Sequence, residues 1–158
     1  MDWAGWAVFG LVATAALTAV MVAAQLAGLT RLDLPLLLGT VVTADPDRAR
    51  VAGSFIHLAI GSGFALGYAA CFALLDEATW WLGGLFGLLH VTVALTVLVP
   101  LLPGVHPRIA SARAGPTTTA VLEPPGLAGL NYGRQTPSVA IVAHLVYGIA
   151  LGVLLEAH

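Results

Sequence analysis

The sequence predicts an all-α fold: an integral membrane four-helix bundle, arranged as two parallel helical-hairpin repeats within a single transmembrane domain. Three observations predict it. Of the 158 residues, 59% are hydrophobic and only 9% are charged, far from the make-up of a water-soluble domain. Four stretches of helix-forming length carry no charged side chain, and the two halves of the chain repeat one pattern of aromatic, glycine and histidine positions.

The first predicted span is 3–29, an uncharged stretch longer than the roughly 20 residues needed to cross a hydrocarbon core of about 30 Å. Its start, MDWAGW, has no basic region, and the apolar run is too long for a signal-peptide core, so it reads as a membrane helix. In the linker 30–50, the segment 34–42 is apolar but too short to span, which fits an interfacial or re-entrant piece. Asp45-Pro46-Asp47 has the composition of a helix start, with negative charge at the positive end of the dipole. The second span, 51–75, and the third, 80–102, are joined by the polar turn Asp76-Glu77-Ala78-Thr79 and so form an antiparallel hairpin. The third linker, 103–138, holds Pro103, Pro107, Pro116, Pro124, Pro125 and Pro137, which predicts irregular structure on the membrane face before the fourth span, 139–155. Asn131-Tyr132-Gly133-Arg134 within it is a turn by composition.

Every arginine lies in the two long linkers: Arg31, Arg48 and Arg50 in 30–50, and Arg108, Arg113 and Arg134 in 103–138. The other side carries Asp2, Asp76, Glu77 and Glu156. By the positive-inside rule, both linkers face the cytoplasm, both termini lie outside, and the chain is a multi-pass protein of a bacterial-type inner membrane. A formal net charge of −2 with no lysine excludes nucleic-acid binding by phosphate neutralisation. The single cysteine, Cys71, excludes a disulfide scaffold or a CxxC metal or redox motif. No Gly-x-Ser-x-Gly, Walker or His-Glu-x-x-His motif and no paired intramembrane acids are present, so the chain leans away from enzymes.

Helix one opens Trp3-Ala4-Gly5-Trp6 and continues through Phe9-Gly10-Leu11 to Ala16-Leu17-Thr18. The third span opens Trp80-Trp81 and continues through Phe86-Gly87-Leu88 to Ala94-Leu95-Thr96. The second span reads His57-Leu58-x-x-Gly61, and the fourth His144-Leu145-x-x-Gly148. Both hairpins start on the same side, so the repeat relates them by an axis along the membrane normal. This axis places His57 and His144 at equal depth, roughly 9 Å below the interface, facing each other across the bundle. His90 is nearer the midplane.

Two chemistries fit these histidines. Each is an interhelical hydrogen-bonding group, or together they form an intramembrane binding site. As a site, His57 and His144 can supply the axial ligands of haem b, with Gly61, Gly63, Gly67, Gly148 and Gly152 making room for the macrocycle and Arg48, Arg50 and Arg134 meeting its propionates. A metal ion on His57, His90 and His144 is the weaker version, because no carboxylate lies in any span and Cys71 is about 21 Å along the helix from His57. The arginines also fit plain cytoplasmic anchoring, and Gly63-x-x-x-Gly67, Gly83-x-x-x-Gly87 and Gly148-x-x-x-Gly152 also fit helix-packing faces, within the chain or in a homo-oligomer or larger complex. Asp33 and Glu123 in the linkers read as solvated surface, and so does His106.

The run HLAIGSGFALGY at 57–68, His90 followed by Pro100-Leu101-Leu102-Pro103-Gly104, and Ala143-His144-Leu145 resemble the landmarks of the YagU-like inner-membrane proteins and related uncharacterised four-helix membrane families, over about 51–150. The resemblance implies a helical inner-membrane protein and assigns no reaction. The chain departs from it in carrying its arginines in the linkers and in a longer third linker. Three functional classes therefore follow from the sequence: a non-enzymatic ligand-binding or complex-subunit protein with an intramembrane histidine site, a small-solute transporter or channel, and a structural accessory subunit.

Overall fold

The computed structural model describes residues 5–111 and 122–156. Asp2, Trp3, Arg113 and Pro116 lie outside the described residues. Among the described residues there are six α-helices: α1 Gly5–Leu26, α2 Leu34–Gly39, α3 Pro46–Leu75, α4 Trp80–Val93, α5 Val99–Val105 and α6 Thr136–Glu156. A π-helical turn, Ala94–Leu98, joins α4 to α5, so Trp80–Val105 is one rod of 26 residues. This rod, α1, α3 and α6 are the four helices long and apolar enough to cross a membrane.

Local chemistry sets the ends. At the end of α1, the Gly28 N–H reaches the Gln25 carbonyl and the Leu29 N–H reaches the Ala24 carbonyl, with Gly28 at φ 72°. That is a Schellman closure, and it needs the left-handed residue that glycine supplies without strain. Asp76 plays the same part after α3, at φ 52°, with the Glu77 N–H on the Phe72 carbonyl. At the start of α3, the Asp45 carboxylate accepts the Arg48 N–H at 2.8 Å and Pro46 occupies the first turn, where its missing donor costs nothing. The helix therefore begins at Pro46, as the Asp45-Pro46-Asp47 composition predicts and ahead of the uncharged span from 51, and Arg48 and Arg50, placed in the linker by their charge, are helical residues. Likewise α6 begins at Thr136 rather than 139, and the third span runs to Val105 rather than 102. The π turn answers Pro100, which has no N–H for the Thr96 carbonyl: the Val99 N–H steps back to Ala94 and widens the coil ahead of the ring.

The predicted short apolar segment is α2, docked along the start of α3. Gly39 rests on the Ala49 backbone and Gly53 on the Pro35 carbonyl. Between 106 and 135, the described residues contain a bridge pairing Ile109 with Leu122 and a 3-10 segment, Leu127–Tyr132. The end of α1, α2, the start of α3, the end of α5 and the start of α6 share one face. There, Thr30 and Thr136 hydroxyls meet at 2.7 Å and the Arg31 N–H donates to the Tyr132 carbonyl at 2.7 Å.

In the bundle, α1 packs between α3 and α6, and α6 between α1 and α4. The backbones of α3 and α4 stay apart although a short turn joins them, so the predicted antiparallel hairpin is splayed. Phe72 and Phe86 rings, 5.4 Å apart, and Tyr68 and Phe86 rings, 5.8 Å apart, fill the space between them. Small residues line the tight contacts: Gly83 meets the Gly148 backbone, and Gly152 meets the Thr79 carbonyl. Ala13, Ala65, Ala69 and Ala143 are wholly buried, while Leu26, Phe55, Leu74 and Leu89 face outward. Large apolar residues facing outward and small ones where helices touch is the distribution expected when the solvent is hydrocarbon and helices associate by close packing.

A methyl group added at Gly148 would overlap the Gly83 carbonyl, whereas one at Gly67 would meet nothing within 4 Å. Gly148→Ala is therefore expected to cost about 1–3 kcal/mol of overpacking strain. Gly67→Ala should change stability by less than about 0.5 kcal/mol. Melting of both purified variants in the same detergent measures the contrast.

Candidate functional site

The three intramembrane histidines lie on three different helices. His57 is about 16 Å along α3 from Pro46 and His144 about 12 Å along α6 from Thr136. Both stand further from the starts of their helices than the predicted span boundaries imply, because both helices begin earlier.

His57 is 8% exposed, and its Nδ1 is 3.1 Å from Thr18 Oγ1 on α1. The Thr18 hydroxyl gives its own proton to the Thr14 carbonyl at 2.7 Å. Its oxygen therefore accepts from His57, which carries its proton on Nδ1 and leaves Nε2 as a lone pair. His144 reaches the same tautomer differently: its Nδ1 is 2.8 Å from the Ala140 carbonyl one turn back, and a carbonyl can only accept. His90 Nδ1 is 3.4 Å from the Tyr68 hydroxyl on α3. The Phe64 ring covers His90 with centroids 4.1 Å apart, and the His144 ring stands perpendicular to it at 4.9 Å.

The ring contact in the bundle is thus His90 with His144, rather than the predicted His57 with His144. The two repeat-related histidines differ in their surroundings: His57 uses Thr18, whereas Thr96, the equivalent threonine, bonds the Thr92 carbonyl on an exposed face. Two tyrosines complete the arrangement, and sequence reasoning missed both. Tyr147, 1% exposed, donates to the Gly61 carbonyl at 2.6 Å across the bundle, and its ring is perpendicular to Tyr68 at 5.4 Å. The available signal was a phenol in an uncharged span, since a buried hydroxyl must find an acceptor.

The glycines set aside for a macrocycle are placed otherwise. Thr14 fills the position beside Gly61, Gly83 that beside Gly148, and Thr79 that beside Gly152, while Gly63 and Gly67 have nothing within 4 Å. The first three are helix contacts, and none of the five opens a slot beside the histidines. Among the described residues, no group of three His, Cys, Asp or Glu side chains is arranged to hold a metal ion. Cys71 is exposed.

The predicted propionate partners lie on the linker face. Arg48 and Arg134 are exposed. Arg50 Nε donates to Asp33 at 2.9 Å and its NH1 group to Asp47 at 3.4 Å. Asp33 is also the N-cap of α2, accepting from the Leu36 N–H at 2.9 Å, so this carboxylate is a structural joint as well as surface.

His106 departs from its solvated reading. It is 8% exposed. Its Nδ1 accepts the Arg108 N–H at 3.1 Å and its Nε2–H donates to the Leu37 carbonyl at 2.9 Å. The Arg108 guanidinium binds the Thr40 and Val41 carbonyls at 2.6 and 3.1 Å. Together they close the C-terminal end of α2, where bare carbonyls and the negative end of the dipole call for donors. Burial pushes the His106 imidazole below its ordinary range; the Leu37 bond opposes this and Arg108 reinforces it.

No protein-family model, no curated protein and no solved structure matches the chain.

Two predictions follow from these bonds. Thr18→Val keeps the shape but leaves the His57 Nδ1–H without an acceptor, which should cost about 1–3 kcal/mol; Tyr147→Phe, which removes a donor from a carbonyl, should cost about 1 kcal/mol. Unfolding by graded sodium dodecyl sulfate measures both. For His106, the folded state disfavours the proton relative to the unfolded chain. Its contribution is therefore complete above about 6.5, the ordinary imidazole value, and is lost as pH falls below it. The melting temperature of wild type should drop on acidification by more than that of His106→Gln, and equal drops would contradict the buried neutral state.

Proposed function

We propose that the protein is a non-enzymatic membrane subunit whose histidines fasten its own helices. The observation that carries this reading is that each intramembrane imidazole already has a partner in the chain: Thr18 for His57, Tyr68 for His90 and the Ala140 carbonyl for His144. The glycine contacts point the same way, since they spend the small residues of α4 and α6 on each other. Gly63 and Gly67 keep one face of α3 open, and it is the glycine face left for a second copy or a larger complex. A transporter reading is less well supported, because Tyr68, Phe72, Tyr147 and Leu151 fill the middle of the bundle. In this proposal the lipid bilayer is a bacterial-type inner membrane. The arginine-bearing face is cytoplasmic and both termini are outside. The resemblance to YagU-like inner-membrane proteins belongs to the same proposal.

A second reading has one observation in its favour. His57 and His144 both carry the proton on Nδ1 and the lone pair on Nε2, and an imidazole held by its Nδ1–H is the arrangement of a ligand to haem b or a metal ion. The two readings separate in one experiment. The protein is purified in mild detergent from haem-replete cells, and its visible spectrum and metal content are recorded for wild type, His57→Ala and His144→Ala. The subunit reading expects a colourless, metal-free protein whose variants lose stability. Sharp Soret and α bands, absent in both variants, would overturn it in favour of the haem reading.

A further inference from the structure

Between the end of α1 and the first turns of α6 lies a groove of about 440 Å³. Val20 and Ala24 of α1, Leu29 just beyond it, and Val139 and Val142 of α6 form its walls, and the polar Gln135 and Ser138 complete its lining. Val142 is six positions beyond Thr136, about 9 Å along the helix, so the groove runs from the polar linker face into the apolar span. Its volume is in the range that holds one small lipophilic molecule.

A basic residue adjoins its polar lining in the chain. Arg134, the residue before Gln135, is exposed and, like Arg48, has no acidic partner among the described residues, whereas Arg31 pairs with Glu123 and Arg50 with Asp33 and Asp47. The groove between α4 and α6 makes the contrast. It is of similar size, about 380 Å³, and lies under Trp80 and Trp81, next to the acidic turn of Asp76 and Glu77 and without an arginine.

We propose that the α1–α6 groove binds one anionic phospholipid, its acyl chain between the valines and its phosphate at Arg134, Gln135 and Ser138. The apolar walls and polar lining residues match an amphiphile lying parallel to the helices. A guanidinium, an amide and a hydroxyl are donors suited to phosphate oxygens. Nothing in this assignment depends on what the histidines do.

The test uses the full-length protein in phosphatidylcholine vesicles with trace spin-labelled phosphatidylglycerol or spin-labelled phosphatidylcholine of the same chain, reading the label fraction the protein immobilises. Phosphatidylglycerol should be preferred. Arg134→Gln should reduce the preference about fivefold, the share of one arginine at an anionic headgroup. Val142→Trp should abolish it by filling the groove while leaving ordinary boundary lipid in place. Leu29→Trp fills the same groove from its other side and decides the matter if the first variant melts below the working temperature. Equal immobilisation of the two lipids would overturn the proposal. So would a preference that survives both tryptophans, which would reflect diffuse surface charge. A preference that inorganic phosphate abolishes while both tryptophans leave it intact would also overturn it, as a headgroup-only anion site.

Discussion

The structure depends on one constraint: a polar group inside the hydrocarbon layer has no water to turn to, so it must be satisfied by another helix or its own. The imidazoles, the buried tyrosines and the threonines of the spans answer this differently, and the answers tie the helices together; the buried Ser62 hydroxyl of α3 is the exception, with no partner among the described residues. Thr18 and His57 join α1 to α3, Tyr147 reaches from α6 to the Gly61 carbonyl of α3, and Tyr68 joins α3 to His90 of α4. His90 then stands against His144 of α6. In water such bonds would exchange with solvent and add little. Here the alternative to each bond is an orphaned polar group, so the bonds set helix rotation even though each contributes only about 1 kcal/mol.

Close approach is governed by side-chain size, and it makes the bundle unequal. Where glycines or alanines face each other, as at Gly83 and Gly148, backbones touch. Between α3 and α4 the facing residues are Phe64, Tyr68, Phe72, Phe86 and His90, and the backbones stay apart. The consecutive pair is thus the loosest, held at one end by a short turn and along its length by rings. The π turn at Ala94–Leu98 lies on the same rod, one turn beyond His90.

The linker face follows aqueous rules instead. Asp33 caps the start of α2 and accepts Arg50, and His106 and Arg108 close its other end. A helix of six residues has no stability of its own. These caps and the Gly39–Ala49 and Gly53–Pro35 contacts hold it to α3.

The four spans, the short segment at α2, the Asp45-Pro46 helix start and the arginine asymmetry were legible in the sequence, because membrane length and charge exclusion are properties of consecutive residues. Other helix ends were less so: α6 begins at Thr136, ahead of the uncharged run from 139, and the third span runs on to Val105. The partners of the histidines were not legible. Thr18 to His57 and Tyr147 to Gly61 are contacts between distant positions, and which ones form depends on helix rotation and spacing. His106 was misjudged for the same reason, since only the docking of α2 buries it. The sequence by itself determined that this chain makes four apolar helices with its arginines outside the apolar runs, because those features follow from local composition. Only the tertiary structure decided which histidine meets which neighbour and which glycines are filled, because side-chain satisfaction in a dry interior is settled by the whole set of helix contacts at once.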